Sequence, residues 1–503
     1  MVVRGYRETG ILLYLSFMTS STIKSGLAAS LLLAANLVSG CAVNPATGQR
    51  QLMLVSEGQE VAMGQQADPG ISAMFGIYDD SDMQQYVARL GDSLAAISER
   101  PQLPWTFRVV DDPIVNAFAL PGGFIYVSRG IMAHFNSEAQ LVSVLGHEIG
   151  HVTARHSASQ MSEQQLAQIG LVAGAIVVPD VAARYGGLAQ QALGILFLKF
   201  SRDDERQADM LGFRYMTRVG YDPKEMPEVF AMLGRVTEAG GGRGLPVWLS
   251  THPDPGDREQ RINALITESG QDFRGTTVGE RAYLLKLHGL VYGPNPREGY
   301  FRDQLFLHPD LEFQITFPSG WQTINQKTAV MAQSPNEDAI LQLTLAEEAA
   351  SAAEAAQEFV GQEGVTAGRI QTGTIGGFPS ATAVFSAETE QGVLQGAVTY
   401  IQDGDLIYRL LAFSTSAAWS SYQQTVANSV ASFARLTDQT ALSVQPMRLS
   451  IIELPQAMTM EAFNQRYPSA LPIEALSILN QVQLGVRMPA GTLVKRVVGE
   501  PAR

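Results

Sequence analysis

A single cysteine, Cys41, stands among 503 residues, which excludes any disulfide within the chain. Histidine is scarce as well: with only seven, any site built on imidazoles has few candidates, and their spacing carries information. Positive charge is in deficit, with 35 Lys and Arg against 49 Asp and Glu and a formal net charge of -14. That balance argues against nucleic acid as a partner and against electrostatic attachment to anionic lipid headgroups. After Cys41 no stretch reaches the roughly 18 to 20 consecutive apolar residues that span a bilayer. The remaining composition is that of a globular protein: at 46% hydrophobic the chain can bury a sizeable core, and its length suits two or three domains.

Two of the histidines fall in His147-Glu148-Ile149-Gly150-His151. Positions i and i+4 of a helix share a face, so both imidazoles can reach one metal ion, while Glu148 projects beside them toward a water on that ion. The helix is well signalled. Ser137 with Gln140 makes an N-terminal capping box, and Leu141, Val144, Leu145 and Ile149 form an apolar stripe for burial behind the metal face. A catalytic zinc site takes three protein ligands and keeps one position for water, so a third ligand is required. Ala154 and Ser157 stand where the extended metzincin motif would place a glycine and a histidine. On a continuous helix His156 is turned about 140° away from His151, and it is expected as a surface or capping histidine. Further on, residues 200–209 open a second amphipathic helix, where Glu205 and Asp209 again stand at i and i+4. Glu205 can bind the metal while Asp209 takes the N–H of a ligand histidine and fixes its tautomer. A solvated acidic face is the alternative for that pair.

His-Glu-Ile-Gly-His followed by Ser201-Arg202, Glu205 and Ala208-Asp209 resembles the gluzincin peptidase family of CAAX prenyl endopeptidases, HtpX-type proteases and their periplasmic BepA-like lipoprotein branch. Two further segments agree. Asn116-Ala117-Phe118-Ala119-Leu120-Pro121-Gly122-Gly123 and the following residues 124–130 are similar to the strand these enzymes place at the edge of the active-site sheet. Ser250-Thr251-His252-Pro253 is similar to the segment that brings another histidine to the metal in the periplasmic branch. The resemblance covers roughly residues 42–275. It implies an α+β fold: a mainly helical zincin-type metallopeptidase domain (76–275, after an N-terminal segment 41–75) with a small active-site sheet, binding one Zn2+ per chain.

The amino terminus reads as a targeting signal. Residues 27–37 are largely apolar, preceded by Lys24 and ended by Val38-Ser39-Gly40-Cys41, the pattern of a bacterial lipoprotein signal in which Cys41 becomes the lipidated first residue. An extra apolar segment at 11–18 lies ahead of it, which points to Met18 as the true start, or else to a long signal. Ala42 follows the cysteine where an aspartate would retain a lipoprotein at the inner membrane, so the expected location is the periplasm, anchored to the inner leaflet of the outer membrane. The apolar run 166–178 carries Gly170 and Gly174, ends at Pro179 and is too short to span; it reads as a buried helix or as a lid near the cleft.

After about residue 275 the pattern changes. A polar linker (276–300) with Gly293, Pro294, Asn295 and Pro296 is expected, then a strand with Leu311, Phe313, Ile315 and Phe317 on one face, and further strands at 340–345, 380–385, 393–401 and 406–412. A helix over 417–436 closes this α+β unit (301–440), whose Phe317-Pro318-Ser319-Gly320-Trp321 turn is similar to the PsbP-like fold. A last segment, 445–503, has strand 449–454, helices 459–467 and 472–482, and strand 492–498, a β-α-α-β order that resembles a LysM module. Peptidoglycan binding is one consequence; an inert structural or protein-binding role is the preferred one. His288 and His308 lie outside any metal spacing.

The expected chemistry is peptide hydrolysis, with His147, His151 and Glu205 on the metal, Asp209 behind them and Glu148 as general base. Asn116, Ala117, Phe118 and Ala119 would align an extended substrate by backbone pairing. The resemblance implies misfolded or stalled periplasmic and outer-membrane proteins as substrates, and the outer-membrane protein assembly machinery as a partner. The competing class is an envelope chaperone or assembly scaffold with a silent zinc site. His252 follows the permissive stretch Gly240-Gly241-Gly242-Arg243-Gly244. It is expected either to latch the open metal position at rest or to stabilise the oxyanion of the transition state. The anchor is tested directly: Cys41→Ala should leave a longer precursor that no longer fractionates with the outer membrane. Metabolic labelling with a fatty acid checks it, and a wild-type protein that takes up no label rules the lipoprotein reading out.

Overall fold

The computed structural model describes residues 41–172, 200–239, 252, 255–346, 349–389 and 392–501. The signal before Cys41, the second half of the 166–178 run, the 240–244 glycines and the neighbours of His252 in the 250–253 motif lie outside the described residues.

A short hairpin, β1 (Cys41–Val43) and β2 (Arg50–Leu52), precedes α1 (Glu57–Phe75), whose N-terminus carries a reciprocal capping box between Ser56 and Gln59. After α2 (Ser81–Ala95) comes a three-stranded sheet. Its centre is β5 (Phe124–Ser128), with β3 (Thr106–Val110) parallel on one side and β4 (Ala117–Leu120) antiparallel on the other. Every residue of β5 is buried, as a strand covered on both faces requires. The outer edge of β4 pairs with no strand among the described residues. Helix α3 (Arg129–His134) then leads to α4 (Glu138–Thr153), α5 (His156–Val172), α6 (Arg202–Arg218), α7 (Glu225–Ala239), α8 (Pro255–Glu268) and α9 (Glu280–Lys286).

Helix α4 begins as its sequence predicts, with Ser137 accepting from the Gln140 N–H; the Gln140 side chain, however, bonds the Asn136 N–H, so the box is one-sided. Past Glu138, all of α4 is buried rather than one stripe of it. It is the central helix, packed against α2, α6, α7 and β4. The contact with α6 is unusually close. A Cβ at Gly150 would lie 3.1 Å from the Ala208 Cα, and one at Gly212 would lie 3.0 Å from the His147 nitrogen. Only residues with little or no side chain at these points let the two helices meet backbone to backbone.

The C-terminal segment does not stand apart. Its strands β6 (Arg448–Glu453) and β7 (Leu493–Val498) pair antiparallel around α10 (Met460–Arg466) and α11 (Ile473–Asn480), and a second short pair, Met458–Thr459 with Arg487–Met488, lies inside them, so the expected βααβ order gains a strand on each side of the helices. Yet Leu449, Leu479, Leu493 and Val497 belong to the same core as Leu141, Leu145 and Ile149 of α4. The Gly289 N–H donates to the Leu449 carbonyl at 2.8 Å, and the Tyr292 N–H to the Met447 carbonyl at 2.8 Å. Lys495, fully buried, donates to the carbonyls of Ala133 and Phe135 at the end of α3, at 2.9 and 3.0 Å. Burial pulls its ammonium well below the usual lysine range. The stretch 276–300 is likewise no linker: it holds α9, with Tyr283 and Leu284 buried in that core. Its Gly and Pro residues mark only the point where the chain leaves the core.

What leaves is an inserted α+β unit. Its large antiparallel sheet runs through Phe378–Thr389, Gly392–Asp403, Leu406–Thr415, Ala339–Leu345, Val330–Gln333 and Gln322–Asn325 as successive neighbours. The expected alternation holds, with Phe313 and Ile315 buried beside Phe317 and Trp321. Its closing helix, Trp419–Ala431, is shorter than the sequence predicts, because Ala434–Arg435 turns to pair with Phe313–Thr316. No helix among the described residues is long and apolar enough to cross a membrane.

Since the chain leaves and re-enters the core side by side, replacing 296–444 with a short Gly/Ser linker should leave a soluble core with a cooperative melt. Deleting 445–503 should abolish it, since each core leucine lost costs about 2 to 5 kcal/mol against a total stability of about 5 to 15 kcal/mol. Thermal melts of the two variants check this; a C-terminal truncation that melts like the full chain would show that the segment is not part of the core.

Candidate metal centre

The backbone contact between α4 and α6 places four donor side chains together. His147 and His151 of α4, Glu205 of α6 and His252 offer ligand atoms that all lie within 4.8 Å of one another, and all four residues are buried. The separations are 3.0 Å between the two Nε2 atoms of His147 and His151, and 3.3 Å from His147 Nε2 to His252 Nδ1. Glu205 lies 2.8 Å from His252 Nδ1 and 3.4 Å from His151 Nε2 through Oε1, and 3.6 Å from His147 Nε2 through Oε2. Ligand atoms about 2.0 to 2.1 Å from a tetrahedral zinc stand about 3.3 Å apart, so the cluster has the dimensions of such a site. Nitrogen with carboxylate is also a donor set that zinc accepts.

Protonation agrees with that assignment. His147 Nδ1 lies 3.0 Å from Asp209 Oδ1 and 3.2 Å from Arg258 Nη2; with Nη2 spent on Asp209 at 2.6 Å, a ring proton on Nδ1 faces the carboxylate, and Nε2 then presents a lone pair to the cluster. Burial, with Arg258 beside it, pulls His147 down to about 3, so it is neutral. Burial alone would raise Glu205 and Asp209. Instead His252 and Arg258 hold Glu205 well below its usual range, and Arg258 and His147 lower Asp209.

Arg258 is the residue that sequence reasoning missed. It lies on α8, fully buried, with Nη1 2.9 Å from Glu205 Oε2, Nη2 2.6 Å from Asp209 Oδ1 and Nε 2.9 Å from Asp209 Oδ2. Its guanidinium also sits 4.3 Å over the Phe230 ring. The signal was electrostatic: two carboxylates on one buried helix face call for a buried cation, although no spacing rule says where in the chain it lies.

The other expected site residues fall as follows. Glu148 is buried beside the ligands, its Oε1 3.6 Å from His252 Nε2. Asn116 precedes β4, and Ala117, Phe118 and Ala119 lie on it; Phe118 stacks on Tyr126 with ring centroids 4.9 Å apart. Cys41 begins β1. His156 is neither a surface nor a capping residue: it is buried against His151, and burial with that neighbour brings it down to about 4. The 140° expectation assumed a continuous helix, but α4 ends at Thr153 and Arg155 takes a left-handed φ of 61° before α5 begins.

Residues 81–266 match the family model of peptidase family M48. Among curated proteins the chain is similar to the mitochondrial metalloendopeptidase OMA1 of Arabidopsis thaliana, 37% identical over 187 residues (37% of this chain and 36% of that protein). It is also similar to the beta-barrel assembly-enhancing proteases of Yersinia pestis, 32% identical over 231 residues (43% and 47%), and Escherichia coli K12, 29% over 235 residues (44% and 47%). The chain thus spans less than half the length of these relatives. Among solved structures it is similar to cyanobacterial PsbP from Synechocystis sp. PCC 6803, with a TM-score of 0.23 and 12% identity over 27% of this chain and 94% of that one.

Arg258→Met should leave two buried carboxylates without their cation and lower stability by about 3 to 5 kcal/mol, with zinc lost alongside. Arg258→Lys should not rescue it, because one ammonium cannot reach both carboxylates in the same geometry. Thermal melting and zinc content by elemental analysis check this; a normal melt and full zinc in Arg258→Met would show that the arginine is dispensable.

Proposed function

With an M48 peptidase domain over residues 81–266 as the premise, we propose that this chain is a zinc-dependent endopeptidase of the cell envelope that hydrolyses misfolded or stalled periplasmic and outer-membrane proteins. The observation that carries the reading is the buried cluster of His147, His151, Glu205 and His252 with Glu148 beside it. Zinc, when bound there, supplies Lewis acidity that acidifies a water and polarises the scissile carbonyl.

The chain's own groups do the rest. His147, His151 and Glu205 hold the ion, and Asp209 keeps the His147 proton on Nδ1. Glu148 takes the proton from the attacking water and hands it to the leaving amine. The open edge of β4 aligns an extended substrate through backbone hydrogen bonds, which favours loose sequence preference. Loose preference suits unfolded substrates. The beta-barrel assembly-enhancing names of two relatives support outer-membrane barrel precursors among them, with the assembly machinery as a partner. The Val38-Ser39-Gly40-Cys41 sequence supports a lipid anchor facing the periplasm. For 445–503 the shared core supports a structural role over peptidoglycan binding.

His252 acts as a latch in this reading. Its Nδ1 lies among the ligand atoms, 2.8 Å from Glu205 Oε1 and 3.3 Å from His147 Nε2, whereas a group that stabilises an oxyanion belongs beside the ligands rather than among them. It occupies the open position at rest and withdraws when substrate enters, which shields the envelope from an unselective protease.

One assay tests both assignments. On an unfolded substrate such as casein, Glu148→Gln should lose about 100-fold to 10,000-fold in rate while still carrying zinc. His252→Ala should cleave faster than wild type. A slower His252→Ala would assign that residue to the transition state instead, and undiminished cleavage by Glu148→Gln would overturn the mechanism.

A further inference from the structure

His151 and His156 face each other through their Nδ1 atoms, 2.9 Å apart and both buried. One must donate and the other accept, and the surrounding contacts decide which. Asn44, between β1 and β2, has its Oδ1 claimed by the backbone N–H groups of Ala46 and Thr47, at 2.9 and 3.2 Å. Its amide nitrogen is therefore turned the other way, 3.1 Å from Gln207 Oε1, 3.1 Å from Gln51 Oε1 and 3.1 Å from the Ala154 carbonyl. Gln207 thus presents an acceptor oxygen, and His156 Nε2, 2.9 Å from it, must carry a proton. Asp204 Oδ1, 3.5 Å from the same nitrogen, is a second acceptor and points to the same tautomer. With its proton on Nε2, neutral His156 offers a lone pair at Nδ1. His151 donates its own Nδ1–H there, which leaves its Nε2 lone pair aimed at His147 and Glu205.

The contact depends on the break between α4 and α5. Arg155 holds its left-handed φ of 61° because Nε reaches Glu60 Oε1 at 2.6 Å and Nη2 reaches the Val55 carbonyl at 2.7 Å. Arg100 Nη1 meanwhile takes the Val152 carbonyl at the end of α4, at 2.8 Å. Every partner that fixes the break comes from the region ahead of the active-site sheet. The two metal-binding histidines are therefore held differently: His147 by a carboxylate, His151 by a neutral imidazole whose proton is set from the N-terminal hairpin.

We propose that His156 is the positioning residue for His151, and that Gln207 and Asn44 fix its proton on Nε2, so that the β1–β2 hairpin is a working part of the zinc site. This rests on the zinc reading above. The measurement is zinc affinity by competition with a chromophoric chelator, together with the visible spectrum of the cobalt-substituted protein and the melting temperature of the metal-free form.

His156→Leu, which fills the space without an acceptor, should bind zinc about 10-fold to 100-fold more weakly and shift the cobalt bands. His156→Gln, whose amide offers an acceptor and a donor at similar reach, should recover most of that loss. Gln207→Met should weaken zinc in the same direction, and combining it with His156→Leu should cost no more than His156→Leu alone, because both cut one chain of bonds. If His156→Leu does not fold, Gln207→Met, at a partly exposed position, carries the test. A folded His156→Leu with wild-type zinc affinity and cobalt spectrum overturns the proposal, as do losses that add in the double variant. A loss that His156→Gln does not restore, matched by an equal fall in metal-free melting temperature, would show His156 to be packing only, and would also overturn it. A wild-type protein that binds no zinc fails the zinc reading itself, a distinct result.

Discussion

Everything at the metal centre depends on how closely α4 and α6 approach. Gly146 and Gly150 meet Ala208 and Gly212 with no room for larger side chains, so the helices touch through their backbones. At that distance Glu205 and Asp209 reach the ring nitrogens of His151 and His147 directly. A wider separation would need longer side chains and would let water between the helices. The small residues therefore set both the ligand geometry and the dryness of the site.

Dryness has an electrostatic consequence. Two carboxylates shut away from water are costly unless a cation shares the space, and Arg258 supplies it to both at once. A guanidinium suits the task because its donors lie in one plane, so Nη1 serves Glu205 while Nη2 and Nε grip Asp209.

What the sequence made legible was local. The i, i+4 pairs His147/His151 and Glu205/Asp209 could be read because a helix fixes their relative direction whatever surrounds it. His156 was misplaced because the same rule was carried across Arg155, where the helix stops and the backbone turns left-handed. Arg258 had no periodic partner to announce it. The chain order also concealed that residues 445–498 return to the core: the pairing of Leu449 with Gly289 and Leu290 joins positions far apart in sequence, and a βααβ pattern looks the same whether it stands alone or completes another domain. The alternating strands of the inserted unit were readable for the opposite reason, as period-two burial is a local property.

The inserted unit is seated rather than tethered. Lys327, on its side, lies 2.7 Å from Asp111 at the end of β3, and Asp111 also pairs with Arg129 at the start of α3. Arg129 in turn donates to the carbonyls of Val291 and Gly293, at 3.2 and 2.8 Å, where the chain leaves the core. Burial alone would raise the Asp111 carboxyl, but Lys327 and Arg129 hold it low. Swinging the unit away would take Lys327 from Asp111 and open a joint in which both side chains are largely shielded from water. The same arginine fastens the exit of the chain and, through Asp111, the inserted sheet. Because Asp111 and Arg129 directly follow β3 and β5, the unit is fixed against that end of the sheet, whose β4 edge pairs with no strand among the described residues.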